Sequence, residues 1–124
     1  MRVRVLVAEE DLNLHMLIHD ILEIIYKDVA IDRALNGESL LEKIAKAGEP
    51  HDLFLYDIDF DDEDGKDVLS ILRRDWPHLD DRIVVITGSK EEIAGRESAR
   101  GLRSILKPFS LDDFSEAVRQ VCVS

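Results

Sequence analysis

The segment LFLYDIDFDDEDG, residues 53–65, sets a short apolar run directly against a dense cluster of acidic side chains. From Asp57 to Asp67 the chain carries seven carboxylates and a single basic residue, Lys66. Two carboxylates about 4 Å apart repel each other by roughly 4 kcal/mol at the effective dielectric constant near a protein surface. Such a cluster needs either full solvation by water or a bound positive group, and the positions of the other charges in the chain decide between the two.

Short apolar runs of the same kind recur along the whole chain. Runs of this length that are bounded by polar residues predict strands buried on both faces. The predicted strands are Val3–Ala8, Leu53–Tyr56 and Ile83–Ile86, with a more polar edge strand at Ala30–Leu35 and a short fifth strand at Ser104–Leu106.

The segments between these strands have apolar residues at helical spacing. One face of a first helix is formed by Leu14, Leu17, Ile18, Ile21 and Ile25. Further helices are predicted around residues 40–44, 68–72 and 111–121, the last beginning with Ser110 and Asp113 at the spacing of a capping box. A helix is also predicted over residues 90–100, where apolar residues are few and Gly95 costs roughly 1 kcal/mol relative to Ala. Strand and helix alternate five times, which predicts an α/β fold with a parallel sheet covered by helices on both faces.

Composition excludes several classes of function. The chain has 124 residues and a net charge of -11, which fits one globular domain without the basic face that nucleic acids and anionic membranes require. No apolar stretch approaches the length of a membrane span. Cys122 is the only cysteine, so an internal disulfide is excluded and a reducing cytosol is the expected compartment.

Chemically active residues follow four of the predicted strands. In open α/β sheets, ligands bind beyond the carboxyl ends of the strands. The residues expected at that edge are Glu9, Glu10, Asp57, Thr87, Gly88 and Lys107. The sequence therefore predicts that three carboxylates, one hydroxyl and one amine converge from four separate strands.

This set of groups suits phosphoryl transfer to a carboxylate. An aspartate such as Asp57 can attack phosphorus and form an acyl phosphate. The transferred group is negatively charged, so it needs a divalent cation and a fixed positive side chain. Mg²⁺ is usually held by one or two carboxylates together with water and phosphate oxygens. Glu9 and Glu10 can supply carboxylates beside Asp57, while Lys107 and Thr87 can bind phosphoryl oxygens.

Over nearly its whole length the sequence resembles the receiver domain of the two-component response regulators. The matching segments are VLVAEEDLN, ALNGESLLEKI, DLFLYDIDFDDEDGKDVLSILR, IVVITGS and LKPF. The resemblance implies a single receiver domain over residues 1–124, with a doubly wound, flavodoxin-like sheet of five parallel strands in the order 2-1-3-4-5.

The resemblance also implies a role for each residue of the site. The roles are phosphoacceptor for Asp57, Mg²⁺ ligands for Glu9, Glu10, Asp57 and the backbone carbonyl of Asp59, switch hydroxyl for Thr87, and phosphoryl-binding amine for Lys107. A cis peptide bond is implied before Pro108. The implied phosphoryl donor is a sensor histidine kinase or a histidine phosphotransfer protein. The implied protein is a cytoplasmic signalling module that changes conformation, with no separate substrate as an enzyme would have and no direct contact with nucleic acid or membrane.

Three positions depart from the pattern of the family. Glu10 stands where the second acid is usually Asp, Asp61 where the acidic loop usually has proline, and Ser104 where the fifth strand usually has an aromatic residue. With no ring at Ser104, we expect the conformational change to arise mainly in the loops after Asp57 and Thr87 and in the segment 90–100. The run Asp61–Asp64 is expected to be a solvated, helix-capping loop, because acids favour helix N-termini.

Two other functions remain open on the sequence alone. Glu10 and Ser104 are compatible with a degenerate receiver-like interaction module that is not phosphorylated. The spacing of Asp57 and Asp59 is also found in the haloacid-dehalogenase phosphatases, but the threonine that usually follows is absent. His15 and His19 have a spacing that could hold zinc, but no third ligand is obvious, so they are predicted to be a surface pair.

Overall fold

The computed structural model describes residues 2–60 and 67–122, within which five strands form one parallel sheet. The strands are β1 (Val3–Ala8), β2 (Val29–Ala34), β3 (Leu53–Asp57), β4 (Ile83–Thr87) and β5 (Arg103–Leu106), in the spatial order β2-β1-β3-β4-β5. Ala8 is in register with Tyr56, and Asp57 with Ile86, so the carboxyl ends of the central strands lie at one edge. The predicted fold class and strand order are confirmed.

Helices follow the strands in regular alternation. They are α1 (Leu12–Ile25), α2 (Gly37–Ala45), α3 (Val68–Asp75), α4 (Lys90–Ala94) and α5 (Leu111–Arg119), with short 3₁₀ segments at Pro77–Arg82 and Glu97–Ala99. The capping of α5 agrees with the sequence pattern, since the Ser110 hydroxyl accepts from the Asp113 N–H at 3.0 Å. In the described residues, no helix has both the length and the apolar content needed to cross a membrane.

The sheet separates two hydrophobic cores. Successive residues of a strand point to opposite faces, and β1 shows the consequence: Val5 and Val7 pack with α1 and α5, whereas Leu6 packs with α2 and α3. The largest buried side chains of the helices divide in the same way, with Ile18 and Phe114 in one core and Leu69 in the other. Helices therefore cover both faces of the sheet, as predicted, and this fixes the edge at which the strands end.

One residue of the predicted α1 core face is placed differently. Ile18 and Ile21 are buried as expected, but Leu17 is 49% exposed and Leu22 is fully buried in its place. Successive residues of a helix are about 100° apart, so Leu17 and Leu22 lie on opposite flanks of the stripe that contains Ile18. The sheet contacts the Leu22 flank, and the prediction for Leu17 is wrong.

The segment 90–100 does not form one continuous helix. The helix α4 ends at Ala94, Gly95 caps it, and a separate 3₁₀ turn follows at Glu97–Ala99. This agrees with the few apolar residues and the glycine in the sequence. The acidic run Asp61–Asp64 lies outside the described residues; within the described part, Asp67 caps α3 by accepting from the Ser70 N–H at 3.2 Å.

Candidate functional site

Asp57 is the last residue of β3 and is held on both of its carboxylate oxygens. The Lys107 ammonium group donates to Oδ2 at 3.0 Å, and the Asp59 backbone N–H donates to Oδ1 at 2.8 Å. The side chain is almost completely buried, with 4% of the residue exposed. A buried carboxylate with a cationic partner and a backbone donor is held in one orientation, as a nucleophile requires.

Glu9 follows β1 and brings a second buried carboxyl group to Asp57. Its Oε1 accepts from the Asp11 backbone N–H at 2.9 Å, whereas Oε2 is buried without a hydrogen-bond donor. Burial, followed by the adjacent Asp57 carboxylate, raises the pKa of Glu9 to about 8. Two neighbouring carboxylates resist being charged together unless a cation lies between them, so an unpaired oxygen at this point fits a divalent cation.

Lys107 follows β5 and places a positive charge beside Asp57 and Glu9. These three side chains form the candidate pocket. Its backbone N–H donates to the Thr87 carbonyl at 2.7 Å, and the Lys107–Pro108 peptide bond is cis, as the family resemblance implied. Burial acts to lower the pKa of Lys107, but the hydrogen bond to Asp57 and the charges of Asp57, Asp59 and Glu9 outweigh it and raise the pKa. The amine therefore stays protonated at neutral pH.

Thr87 ends β4 at the same edge of the sheet, but its hydroxyl group bonds outside the pocket. Oγ1 lies 2.5 Å from Glu92 Oε1 and 3.0 Å from the Ser89 carbonyl oxygen. The Glu92 carboxylate also accepts from the Gly88 N–H at 3.4 Å. Sequence reasoning missed Glu92, although Ser89 and Glu92 have capping-box spacing.

The two glutamates after β1 are placed unequally. Glu9 is buried and Glu10 is exposed. Arg33 on β2 fixes this turn, because its guanidinium donates to the Glu9 carbonyl at 3.1 Å and to the Glu10 carbonyl at 2.9 Å. The structure thus brings Glu9, Asp57 and Lys107 together, places the exposed Asp59 side chain beside them, and leaves the Glu10 carboxylate at the solvent side.

One cluster with metal-ligand chemistry lies elsewhere. Among the residues the structure describes, His19, Asp20 and Glu23 place potential ligand atoms within 4.8 Å of one another on α1. The rings of His15 and His19 are 6.2 Å apart. His19 Nδ1 lies 3.1 Å from the Glu23 carboxylate. The cluster is an exposed surface feature of one helix.

Arg96 connects the loop after β3 to the segment after α4. Its guanidinium donates to the Ile58 carbonyl at 2.6 Å and to the Asp67 carboxylate at 2.8 Å. No local sequence pattern indicates these contacts, because the partners are 38 and 29 residues away in the chain. Arg96 therefore ties the loop after β3, and the start of α3, to the segment that follows α4.

The fifth strand has an open groove where the family usually has an aromatic ring. Ser104 is exposed, and Ile105 is the buried residue of β5. A cavity of about 490 Å³ lies between β5 and α5, lined in part by Ser104, Leu106 and Ala117. Ser104 therefore contributes a small, exposed side chain to the wall of this groove.

The family to which these features belong is shown by the sequence. Residues 5–119 match the response regulator receiver domain. The chain belongs to the response regulator receiver family. Receiver domains are phosphoacceptor modules of two-component signalling, not enzymes of the ordinary kind, and the family generally binds Mg²⁺ at an acidic pocket. A search of curated protein sequences finds no relative of significant similarity.

Solved structures agree with this membership at the level of the fold. A putative response regulator from Chloroflexus aurantiacus J-10-fl superposes with a TM-score of 0.81 at 19% identity, covering 100% of both chains. The Vibrio cholerae chemotaxis protein CheY4 gives 0.77 at 17% identity, covering 98% of this chain and 99% of its own. A sensor protein from Polaromonas sp. JS666 gives 0.78 at 23% identity, covering 96% and 94%. At identities this low, the structural similarity shows that the fold is shared and nothing more.

Proposed function

We propose that this receiver domain accepts a phosphoryl group on Asp57 from a phosphohistidine. A carboxylate oxygen of Asp57 attacks phosphorus, the P–N bond breaks, and its electron pair returns to the imidazole of the donor. The observation that carries the proposal is a buried carboxylate bonded to Lys107 with a second acid, Glu9, beside it. Lys107 stabilises the negative charge of Asp57, and Oδ2 becomes free for attack when the ammonium group moves to the phosphoryl group.

The neighbouring side chains have distinct tasks in this proposal. Lys107 moves from Asp57 Oδ2 to a phosphoryl oxygen as charge develops there, and Thr87 donates its hydroxyl hydrogen to another. The proposed Mg²⁺ ligands are Glu9, Glu10, Asp57 and the backbone carbonyl of Asp59. Mg²⁺, when bound, neutralises the charge on the phosphoryl oxygens. The unpaired Glu9 Oε2 supports this assignment, and Glu10 has room to contribute because its side chain is free of the core.

The proposed setting is a cytoplasmic two-component system. The donor is a sensor histidine kinase or a histidine phosphotransfer protein, and the product is a change of conformation that a downstream protein reads. We propose no separate substrate for this chain and no direct contact with nucleic acid or membrane. The net charge of -11 supports the last point, because both of those surfaces are anionic.

Incubation with Mg²⁺ and a small acyl-phosphate donor tests the proposal against its two rivals. Intact mass is followed with time, and release of inorganic phosphate is measured in the same samples. A receiver gains one phosphoryl group per chain, and EDTA prevents the gain. Steady release of phosphate over many turnovers without that gain would identify an aspartate-nucleophile phosphatase. No gain and no release would identify a degenerate module.

A further inference from the structure

The hydroxyl group of Thr87 already has a charged partner outside the pocket. Thr87 is completely buried, yet its Oγ1 lies 2.5 Å from Oε1 of Glu92, an exposed residue on α4. An O–H donor at this distance from a carboxylate makes a charge-assisted hydrogen bond, stronger than one between neutral groups. Consistent with this, the bond to Thr87 lowers the pKa of Glu92.

Contacts on two sides hold Glu92 in this position. The Gly88 N–H points to the same carboxylate oxygen at 3.4 Å, and the Glu92 N–H donates to Ser89 Oγ at 3.1 Å. Burial, followed by the nearby negative charge of Glu92, raises the pKa of the Asp59 carboxyl group. Glu92 therefore joins the first turn of α4 to the end of β4.

A hydroxyl group has a single hydrogen to donate. Thr87 cannot give that hydrogen to Glu92 and to a phosphoryl oxygen on Asp57 at the same time. We propose that Glu92 is a positioning residue that competes with the phosphoryl group for the Thr87 hydroxyl. This inference rests on the proposed phosphorylation of Asp57 and adds Glu92 to the residues that respond to it.

The competition gives α4 a direct part in the response. Without phosphate, Glu92 keeps the hydroxyl turned toward α4. With phosphate on Asp57, Thr87 donates to the phosphoryl oxygen, and the Glu92 carboxylate loses its hydroxyl donor. The first turn of α4 then loses a bond to β4. A ligand shifts an equilibrium only through its different affinity for two states, and the exchange of this one hydrogen bond supplies such a difference without an aromatic residue at Ser104.

Affinity for beryllium fluoride, a phosphoryl mimic, tests the competition. The dissociation constant is measured in Mg²⁺ by amide NMR titration for the unmodified chain and for Glu92→Gln, which keeps the size of the side chain but accepts a weaker hydrogen bond. We expect about fivefold tighter binding in Glu92→Gln, equivalent to about 1 kcal/mol, the usual net value of one hydrogen bond. Glu91→Gln is the matched control, because it removes one exposed negative charge from the same helix, and its affinity should stay that of the unmodified chain.

A double-mutant cycle with Thr87→Val separates competition from a general effect of charge. In the Thr87→Val background, which lacks the hydroxyl group, Glu92→Gln should no longer tighten binding of the mimic. In the Thr87→Ser background, which keeps a hydroxyl group, Glu92→Gln should tighten binding again. A gain that persists in Thr87→Val, or an equal gain in Glu91→Gln, overturns the competition. If the unmodified chain binds the mimic and Glu92→Gln binds it with the same affinity, the proposed competition is also overturned. If the unmodified chain does not bind the mimic, the proposed function falls and the competition with it.

Discussion

Replacing Glu9 by Gln should change how the stability of the metal-free protein depends on pH. Burial and the neighbouring Asp57 raise the pKa of Glu9 from 4.5 to about 8 in the folded chain. Between these two values the folded state keeps a proton that the unfolded state has released. The free energy of unfolding therefore falls as pH rises through this range, by at most about 1.4 kcal/mol per pH unit. Glutamine has no such proton, so the variant lacks this contribution.

The expected magnitude follows from the width of that range. Between pH 5.5 and 7.5 the contribution of Glu9 should fall by about 2–3 kcal/mol. His15 acts in the opposite direction, because burial lowers its pKa and the unfolded chain then binds more protons. The same histidine is present in both proteins, so the difference between the unmodified chain and Glu9→Gln removes its effect.

Urea unfolding in EDTA at several pH values measures this difference. Relative to the unmodified chain, Glu9→Gln should gain about 2 kcal/mol of stability between pH 5.5 and 7.5. Glu10→Gln carries the same change of charge on an exposed side chain, and its curve should run parallel to that of the unmodified chain. If the Glu9→Gln curve is also parallel, Glu9 is not held in a buried pair with Asp57, and the description of the pocket is refuted.

Three further predictions concern metal, packing and signalling. Mg²⁺ at a hundred times its dissociation constant should stabilise the fold by about 2.7 kcal/mol and so raise the melting temperature. Glu10→Gln should reduce this rise, and a melting temperature that Mg²⁺ leaves unchanged would contradict a metal site. Tyr26→Phe should lower the free energy of unfolding in urea by about 1 kcal/mol, because the buried hydroxyl group donates to the Cys122 carbonyl at 2.6 Å. An unchanged free energy of unfolding would mean that this hydrogen bond contributes nothing to stability. Beryllium fluoride with Mg²⁺ should shift amide NMR signals strongly at residues 88–100 and weakly in β5; equal shifts would show that β5 switches without an aromatic residue.

Most of the fold could be predicted because the sheet is buried on both faces. Short apolar runs separated by helical spacing are sufficient to define such a sheet, and β1, β3 and β4 lie where those runs do. The flanks of α1 were less predictable. Leu17 and Leu22 are equally apolar, and only the position of the sheet decides that Leu22 is the buried one.

The site was predictable where strand order alone determines it. Asp57 ends β3 and Lys107 follows β5, and the parallel sheet brings the ends of those strands together. The sequence could not tell which of the two adjacent glutamates points inward, because a contact from Arg33 on β2 fixes that turn. It showed that Ser89 and Glu92 have capping-box spacing, but not that the carboxylate reaches back to the Thr87 hydroxyl.

Intact mass after incubation with Mg²⁺ and an acyl-phosphate donor tests most directly whether Asp57 is the phosphoacceptor. The unmodified chain and Asp112→Asn, which changes an exposed residue at the start of α5, should each gain one phosphoryl group. Asp57→Asn should keep its fold and gain none, because an amide does not form the acyl phosphate. Labelling of Asp57→Asn to the level of the unmodified chain would contradict the assignment of Asp57.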